Sequence, residues 1–124
     1  MEKNSGIKRF YYASLYSWQG FKSAMANESA FRQEFIAALI LTAFSFYLDV
    51  SAYERLAMIA SLIMVLVVEL INSAIECVVD RVGTERHTLS GRAKDYGSFA
   101  VLLTLLIAIA TWMLIIINEY GDKI

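Results

Sequence analysis

The chain has 124 residues, 58% of them hydrophobic and 19% charged, with no proline and a formal net charge of −1. That balance, without any Lys/Arg-rich run, excludes a charge-driven nucleic-acid interface, and a single cysteine, Cys77, excludes an intrachain disulfide or a thiolate zinc cluster. The apolar residues fall into three long blocks with charges between them, which is the pattern of a small all-α polytopic membrane protein forming a single domain over 1–124.

Met1 to Gly6 is polar. From Ile7 to Met25 the residues Ile7, Phe10, Tyr11, Leu15, Trp18, Phe21 and Met25 recur at helical spacing on one side, and Lys8, Arg9, Gln19, Lys22 and Ser23 occupy the rest. Cations opposite Trp and Phe predict a helix over about 7–25 lying in the membrane interface. Packing on a soluble core is the alternative, but no such core is available. No cleavable signal sequence is expected, because mixed amphipathic sequence precedes the first apolar block.

Asn27 to Glu34 leads into the uncharged run Phe35–Leu48. That run covers only about 21 Å at ~1.5 Å per residue, short of a hydrocarbon core of roughly 30 Å. The first membrane helix is therefore expected over about 30–48, with Arg32, Gln33 and Glu34 at its inner edge. Glu28 and Arg32, four apart, are expected to pair on one face; the functional alternative is that Glu28 lines a site. Asp49-Val50-Ser51 makes a tight connection, and Ser51-Ala52-Tyr53-Glu54 has the form of a capping box. It opens a second membrane helix over about 52–81, antiparallel to the first. Gly83 to Gly91 reads as a polar loop, and a third membrane helix is expected over about 92–118, with Trp112 toward its far end.

Lys3, Lys8, Arg9, Lys22, Arg32, Arg81, Arg86, Arg92 and Lys94 fall on one side of this topology, and only Arg55 and Lys123 on the other. The crowded side is the cytoplasm, so the N-terminal helix and the 83–91 loop meet there.

Chemistry concentrates in Val68–Arg81. At about 100° per residue, Asn72 lies roughly 60° from Glu69, and Glu76 and Asp80 roughly 20° to either side. Three carboxylates and an amide thus share one stripe of an otherwise apolar helix. A charge deep in hydrocarbon costs on the order of 2.5–3.5 kcal/mol on insertion scales, so such residues are read first as functional. A snorkelling helix end accounts for Asp80 and Arg81, but Glu69 sits too far inside. Glu69 and Glu76 are about 10.5 Å apart along the axis and cannot share one small ion. Glu76 suits a cation held with a carboxylate from another segment, and Glu28 is the best placed; Mg²⁺ takes one or two carboxylates plus substrate phosphates. Glu69, deeper, suits proton abstraction from a membrane-resident hydroxyl, with Asn72 orienting substrate or supporting it. Glu85, Arg86, His87, Arg92, Lys94 and Asp95 add charge nearby, and Arg and Lys can bind phosphates; Glu85 and His87 taken singly are ordinary loop residues. No Walker-type glycine loop, kinase glycine loop or DFG segment is present. Two readings remain: an enzyme acting on a lipid hydroxyl with a cation and a phosphorylated donor, or a small proton-coupled transporter. The rise of the stripe toward a basic, acid-rich loop favours the enzyme.

Glu69-Leu70-Ile71-Asn72-Ser73-Ala74-Ile75-Glu76, followed by Val79-Asp80-Arg81, resembles the signature of the prokaryotic diacylglycerol kinase family. Asn27-Glu28-Ser29-Ala30-Phe31-Arg32-Gln33-Glu34 and Leu89-Ser90-Gly91-Arg92-Ala93-Lys94-Asp95 are similar to its two other hallmark segments, in order and spacing from Arg9 to about Trp112. The resemblance, strongest to the Gram-negative branch, implies an inner-membrane homotrimer with active sites shared between subunits. Each chain would carry three membrane helices and an interfacial helix, and the enzyme would move the γ-phosphoryl of MgATP onto diacylglycerol. It implies Glu69 as catalytic base with Asn72 beside it, and Glu28 with Glu76 on the metal. Arg9, Tyr16, Glu85, Arg86, His87, Lys94 and Asp95 would contact the nucleotide. Lipid contacts would come from Arg9, Ala13, Ser14, Leu15, Tyr16, Ser17, Trp18, Lys22, Ser23, Ala24 and Met25, from Ala30, Phe31, Arg32, Gln33 and Glu34, and from Tyr47, Leu48, Asp49, Val50, Arg55 and Glu69. Ser98, Trp112, Met113, Leu114, Ile115, Ile116 and Ile117 would complete them. A related branch phosphorylates undecaprenol, and Ala30–Glu34 argues for diacylglycerol. Cys77 reads as packing, and Asn118–Ile124 fits no motif.

Overall fold

A computed structural model describes residues 5–123; Lys3 of the basic set and Ile124 of the tail lie outside the described residues. Four α-helices follow one another: α1 (Ile7–Asn27), α2 (Ser29–Ser45), α3 (Ala52–Val82) and α4 (Thr88–Tyr120), with a 3₁₀ turn at Gly121–Lys123. The all-α class is as expected.

A single residue separates α1 from α2. Glu28 is extended (φ −112°, ψ 100°); its N–H donates to Ala24 O at 2.9 Å and its carbonyl accepts from Arg32 N at 3.0 Å. Phe21, Phe31 and Phe35 fill the inside of this corner, with ring centroids 5.1–6.4 Å apart. The expected Glu28–Arg32 ion pair is not formed. Arg32 Nη1 donates instead to Met25 O at 2.7 Å, because carbonyls in the last turn of α1 have no intrahelical donor and must find one.

The α2–α3 connection is built the same way. α2 ends at Ser45, earlier than 48, and tightens through Tyr47 N→Phe44 O (3.0 Å) and Leu48 N→Ser45 O (3.3 Å). Arg55 reaches back with Nε to Ser45 O and Nη2 to Leu48 O, both 3.0 Å, and lies 5.2 Å over the Phe46 ring. The Ser51–Glu54 capping box forms as expected, with Glu54 N→Ser51 Oγ at 3.1 Å and Ser51 N→Glu54 Oε1 at 2.9 Å. Asp49 N donates to Tyr120 Oη at 2.6 Å and ties in the end of α4.

α4 starts at Thr88, so the polar connection is shorter than the expected 83–91 loop. His87 makes this possible: its Nδ1 accepts from Leu89 N at 3.1 Å, doing as helix cap what Ser, Thr or Asp usually does.

The interior lies between α3 and α4, with α2 against α3. α3 buries Met58, Ser61, Val65, Glu69, Asn72 and Ser73; α4 buries Gly97, Thr104, Ala108 and Trp112. Small residues on both sides let the helices approach closely, as in membrane helix packing. The pair is antiparallel: Trp112 Nε1 donates to Met58 O at 3.0 Å, Gly97 abuts Asn72, and Lys94 Nζ meets Asp80 Oδ1 at 2.9 Å. The buried hydroxyls of Ser61 and Thr104 bond their own helix, Ser61 Oγ to Met58 O and Thr104 Oγ1 to Val101 O, both at 2.7 Å, so neither of these protons is stranded away from water.

α3 and the α4–3₁₀ unit are long and apolar enough to cross a membrane, and only 33% and 17% of their most apolar stretches are buried within the chain. The core helix of a soluble protein would be mostly covered. Here Leu, Ile and Phe side chains face outward, for example Ile40 (64%), Leu114 (69%) and Ile107 (57%), which a bilayer accommodates and water does not. α2, with 17 residues, is about 25 Å long at ~1.5 Å per residue.

Candidate functional site

The buried face of α3 changes character along its length. Met58, Ser61 and Val65 make its first half. Glu69 and Asn72 continue the same face, 7% and 8% exposed, then half-buried Glu76 and exposed Asp80. Asn72 Nδ2 donates to Glu76 Oε1 at 3.3 Å, while Asn72 Oδ1 is buried without a hydrogen-bond partner, against the backbone of Gly97. The carboxylates of Glu76, Glu28 and Glu34 all lie within electrostatic reach of Glu69. Glu28, isolated at the α1–α2 corner and using no side-chain atom as a cap, thus faces the same end of α3 as Glu76.

Beyond Asp80 a polar cavity of about 500 Å³ opens between the end of α3, the 83–87 connection and the start of α4. Glu85, Arg86, His87 and Lys94 are all on its wall, with Asp80 and the hydroxyl-bearing Thr84, Thr88 and Ser90. The three hydroxyl residues were missed from sequence; their position between Asp80 and Lys94 was the only clue. His87 spends Nδ1 on its cap, so Nε2 carries the ring proton in the neutral form and is the nitrogen left to interact. Lys94 is already neutralised by Asp80. Asp95 is exposed beside Lys94 but not on the cavity wall, and Arg9 and Tyr16 are exposed on α1, away from it.

A second cavity, about 270 Å³ and almost wholly apolar, lies at the other end of the stripe. Ala37, Ala38 and Leu41 of α2, Leu62 and Val65 of α3, and Leu105, Ala108 and Ile109 of α4 line it, with Glu34 and Trp112. Glu34 stands near Glu69 and Trp112 near Met58, so the cavity runs alongside α3 between those levels. Glu34 Oε2 is buried there with no partner.

Of the expected lipid contacts, only Glu34 and Trp112 line this cavity. Ala13, Ser14, Leu15, Ser17, Trp18, Lys22 and Ser23 are exposed along α1, with Ala24 buried and Met25 half-buried. Phe31 is 3% exposed and packs in the phenylalanine corner, and Arg32 is engaged with Met25 O. Ala30 and Gln33 are exposed next to them. Tyr47, Leu48, Asp49 and Val50 belong to the α2–α3 connection and Arg55 to the first turn of α3, at the opposite end of α3 from the polar cavity. Ser98, Met113, Leu114 and Ile117 face outward on α4; Ile115 and Ile116 are half-buried. Among the described residues no three His, Cys, Asp or Glu side chains converge as a metal site. Glu28 and Glu76 offer hard oxygen donors of the kind Mg²⁺ prefers, and substrate phosphates would have to complete such a shell.

The model of the family described as prokaryotic diacylglycerol kinase matches residues 15–116. The chain is 47% identical over 117 residues to a diacylglycerol kinase of Escherichia coli strain K12, covering 94% of this chain and 96% of that one. It is 48% identical over 112 residues to one from Haemophilus influenzae (90% and 95%). With one from Pseudomonas aeruginosa the identity is 47% over 114 residues (92% and 93%).

Proposed function

Since the chain belongs to the prokaryotic diacylglycerol kinase family, we propose that it phosphorylates the hydroxyl of 1,2-diacylglycerol with ATP and Mg²⁺, yielding phosphatidic acid at the cytoplasmic surface of a bacterial inner membrane. One observation carries this reading. A single stripe of α3, buried at Glu69 and Asn72, leads from an apolar cavity to a polar cavity walled by Arg86 and Lys94. A lipid needs the first, a nucleotide the second, and the reacting hydroxyl a base between them.

The buried Glu69 carboxylate accepts the proton of the lipid hydroxyl. The hydroxyl oxygen bonds to the γ-phosphorus as the bond from that phosphorus to the β-phosphate bridging oxygen breaks, and ADP leaves with the electron pair. Exclusion of water around Glu69 protects the phosphoryl group from hydrolysis. Asn72 holds Glu76, and Glu76 with Glu28 would hold Mg²⁺, which when bound would neutralise charge on the phosphate oxygens. Arg86, Lys94 and the Nε2–H of His87 donate to the triphosphate. α2 provides a third membrane crossing, and the chain assembles as a homotrimer. The support for assembly is that the site is shallow and open in one chain, with Arg9 and Tyr16 of α1 left away from the cavity they are expected to serve. The basic residues flanking the polar cavity support its cytoplasmic placement.

The test offers purified protein diacylglycerol and undecaprenol side by side with radiolabelled ATP. Diacylglycerol should be the labelled lipid, and label in neither would revive proton-coupled transport. Glu69→Gln should cut turnover about 10²–10⁴-fold while MgATP still binds. Near-normal turnover would remove Glu69 as the base.

A further inference from the structure

Gly97 is the one glycine among the described residues whose missing side chain is used by a neighbour. A Cβ built at position 97 would clash with Asn72 Oδ1 and press on its Cγ at 3.1 Å, whereas Gly20, Gly83 and Gly91 have nothing within 4 Å of theirs. Gly97 is helical and lies inside α4, so no unusual backbone angle calls for glycine there. In a helix interior glycine is disfavoured relative to alanine, and here the neighbour is a buried amide. Asn72 Oδ1 has no hydrogen-bond donor; it occupies the space that a side chain at position 97 would fill. With the oxygen lodged there, Nδ2 is turned toward Glu76 and makes its 3.3 Å bond. The reverse orientation would set Asn72 Oδ1 against a carboxylate oxygen of Glu76.

We propose that Gly97 is a positioning residue: its bare Cα forms the seat that locks the Asn72 amide in the rotamer that holds the Glu76 carboxylate. This deepens the proposed function, resting on Glu76 as a metal ligand. A methyl group at position 97 evicts Oδ1, swings the amide and releases Glu76. Groups that orient a metal ligand commonly change metal affinity 10–100-fold when lost. A residue serving only helix packing would change stability without that loss.

The experiment uses full-length protein in detergent micelles and four forms: wild type, Gly97→Ala, Asn72→Ala and the double variant. Mn²⁺ binding with a non-hydrolysable ATP analogue is read by electron paramagnetic resonance, with thermal unfolding in parallel. Gly97→Ala should weaken Mn²⁺ binding about 10–100-fold. In the Asn72→Ala background, where nothing remains to evict, the same substitution should change Mn²⁺ affinity no further and should not lower the melting temperature. Wild-type affinity in Gly97→Ala overturns the seat. So does a loss of the same size in both backgrounds, which would make Gly97 a general spacer between α3 and α4. If Gly97→Ala does not fold, Asn72→Ala must rescue its folding; failure to rescue also overturns it. If wild type binds no Mn²⁺ with nucleotide, the metal role of Glu76 falls instead, and the seat is decided by the melting temperatures alone.

Discussion

Trp112 closes one end of the apolar cavity and pins α4 to α3, and two substitutions separate those roles. It is 9% exposed, and its indole N–H donates to Met58 O at 3.0 Å. In Trp112→Phe the hydrogen bond goes and most of the ring volume stays. Met58 O is not orphaned, because Ser61 Oγ still donates to it at 2.7 Å. The cost is therefore the net worth of one interhelical bond in a membrane protein, about 0.6 kcal/mol and at most roughly 1.7. Trp112→Ala also removes the ring, and the hole joins an existing void of about 270 Å³. Aromatic-to-alanine changes in cores cost about 3–5 kcal/mol; the lower end applies here, because exposure to lipid carries little hydrophobic penalty and the loss is mainly packing. Unfolding in mixed micelles, followed by tryptophan fluorescence from Trp18 and by helical circular dichroism, should rank wild type just above Trp112→Phe and well above Trp112→Ala. Equal destabilisation by Phe and Ala would refute the claim that ring volume outweighs the hydrogen bond. An Ala variant within 1 kcal/mol of wild type, on the scale of those core costs, would show that α3 and α4 are not packed through Trp112.

Ala38 also lines the apolar cavity, from α2. Ala38→Leu should raise KM for diacylglycerol several-fold and leave KM for ATP unchanged; unchanged lipid KM in the folded variant would mean that the lipid binds elsewhere. Arg55→Ala should strip a donor from each of Ser45 O and Leu48 O; Ser45 O keeps Leu48 N, so the cost is about 1–3 kcal/mol for Leu48 O left unsatisfied. Arg55→Lys should recover only part, since an ammonium lacks the planar fork that serves both carbonyls. Thermal unfolding reads both, and full recovery by Lys would show that charge, not geometry, matters.

Long periodic apolar runs made the helices readable in advance, and Ser51-Ala52-Tyr53-Glu54 marked the start of α3 because a capping box is a local device. The start of α4 was not readable. Histidine is a weak candidate for a cap, and His87 succeeds only because its ring turns back on Leu89 N. The pairing of Arg32 was misread, and the bonds of Arg55 were not foreseen, for a related reason. Their partners are carbonyls at helix ends, which have no residue identity and so leave no pattern. The apolar cavity is equally silent, being a gap among Ala37, Ala38, Leu62 and Ala108 whose size depends on how far apart the helices stand. The polar stripe was legible because carboxylates among Leu and Val contradict their surroundings. That Gly97 serves Asn72 required knowing that α4 crosses α3 there.

Glu69 is the point at which stability and function pull apart. It is buried, and no hydrogen bond or ion pair reaches its side chain among the described residues. Three other carboxylates surround it within electrostatic reach. Each of these features is unfavourable for a carboxyl group away from water. Val65, one turn earlier on the same face, is how that position would be filled for packing alone, and the groups a structural carboxylate would recruit lie elsewhere. Arg32 and Arg55 are committed to helix-end carbonyls and Lys94 to Asp80. A carboxylate left without a cation in a chain that has cations within a few turns is available for the base role proposed for Glu69. Pairing it with Arg would stabilise its charged form and blunt it as a base. On this argument a cation engineered beside Glu69 should raise the melting temperature of the folded protein and slow phosphorylation of diacylglycerol, and unchanged turnover in the stabilised variant would refute it.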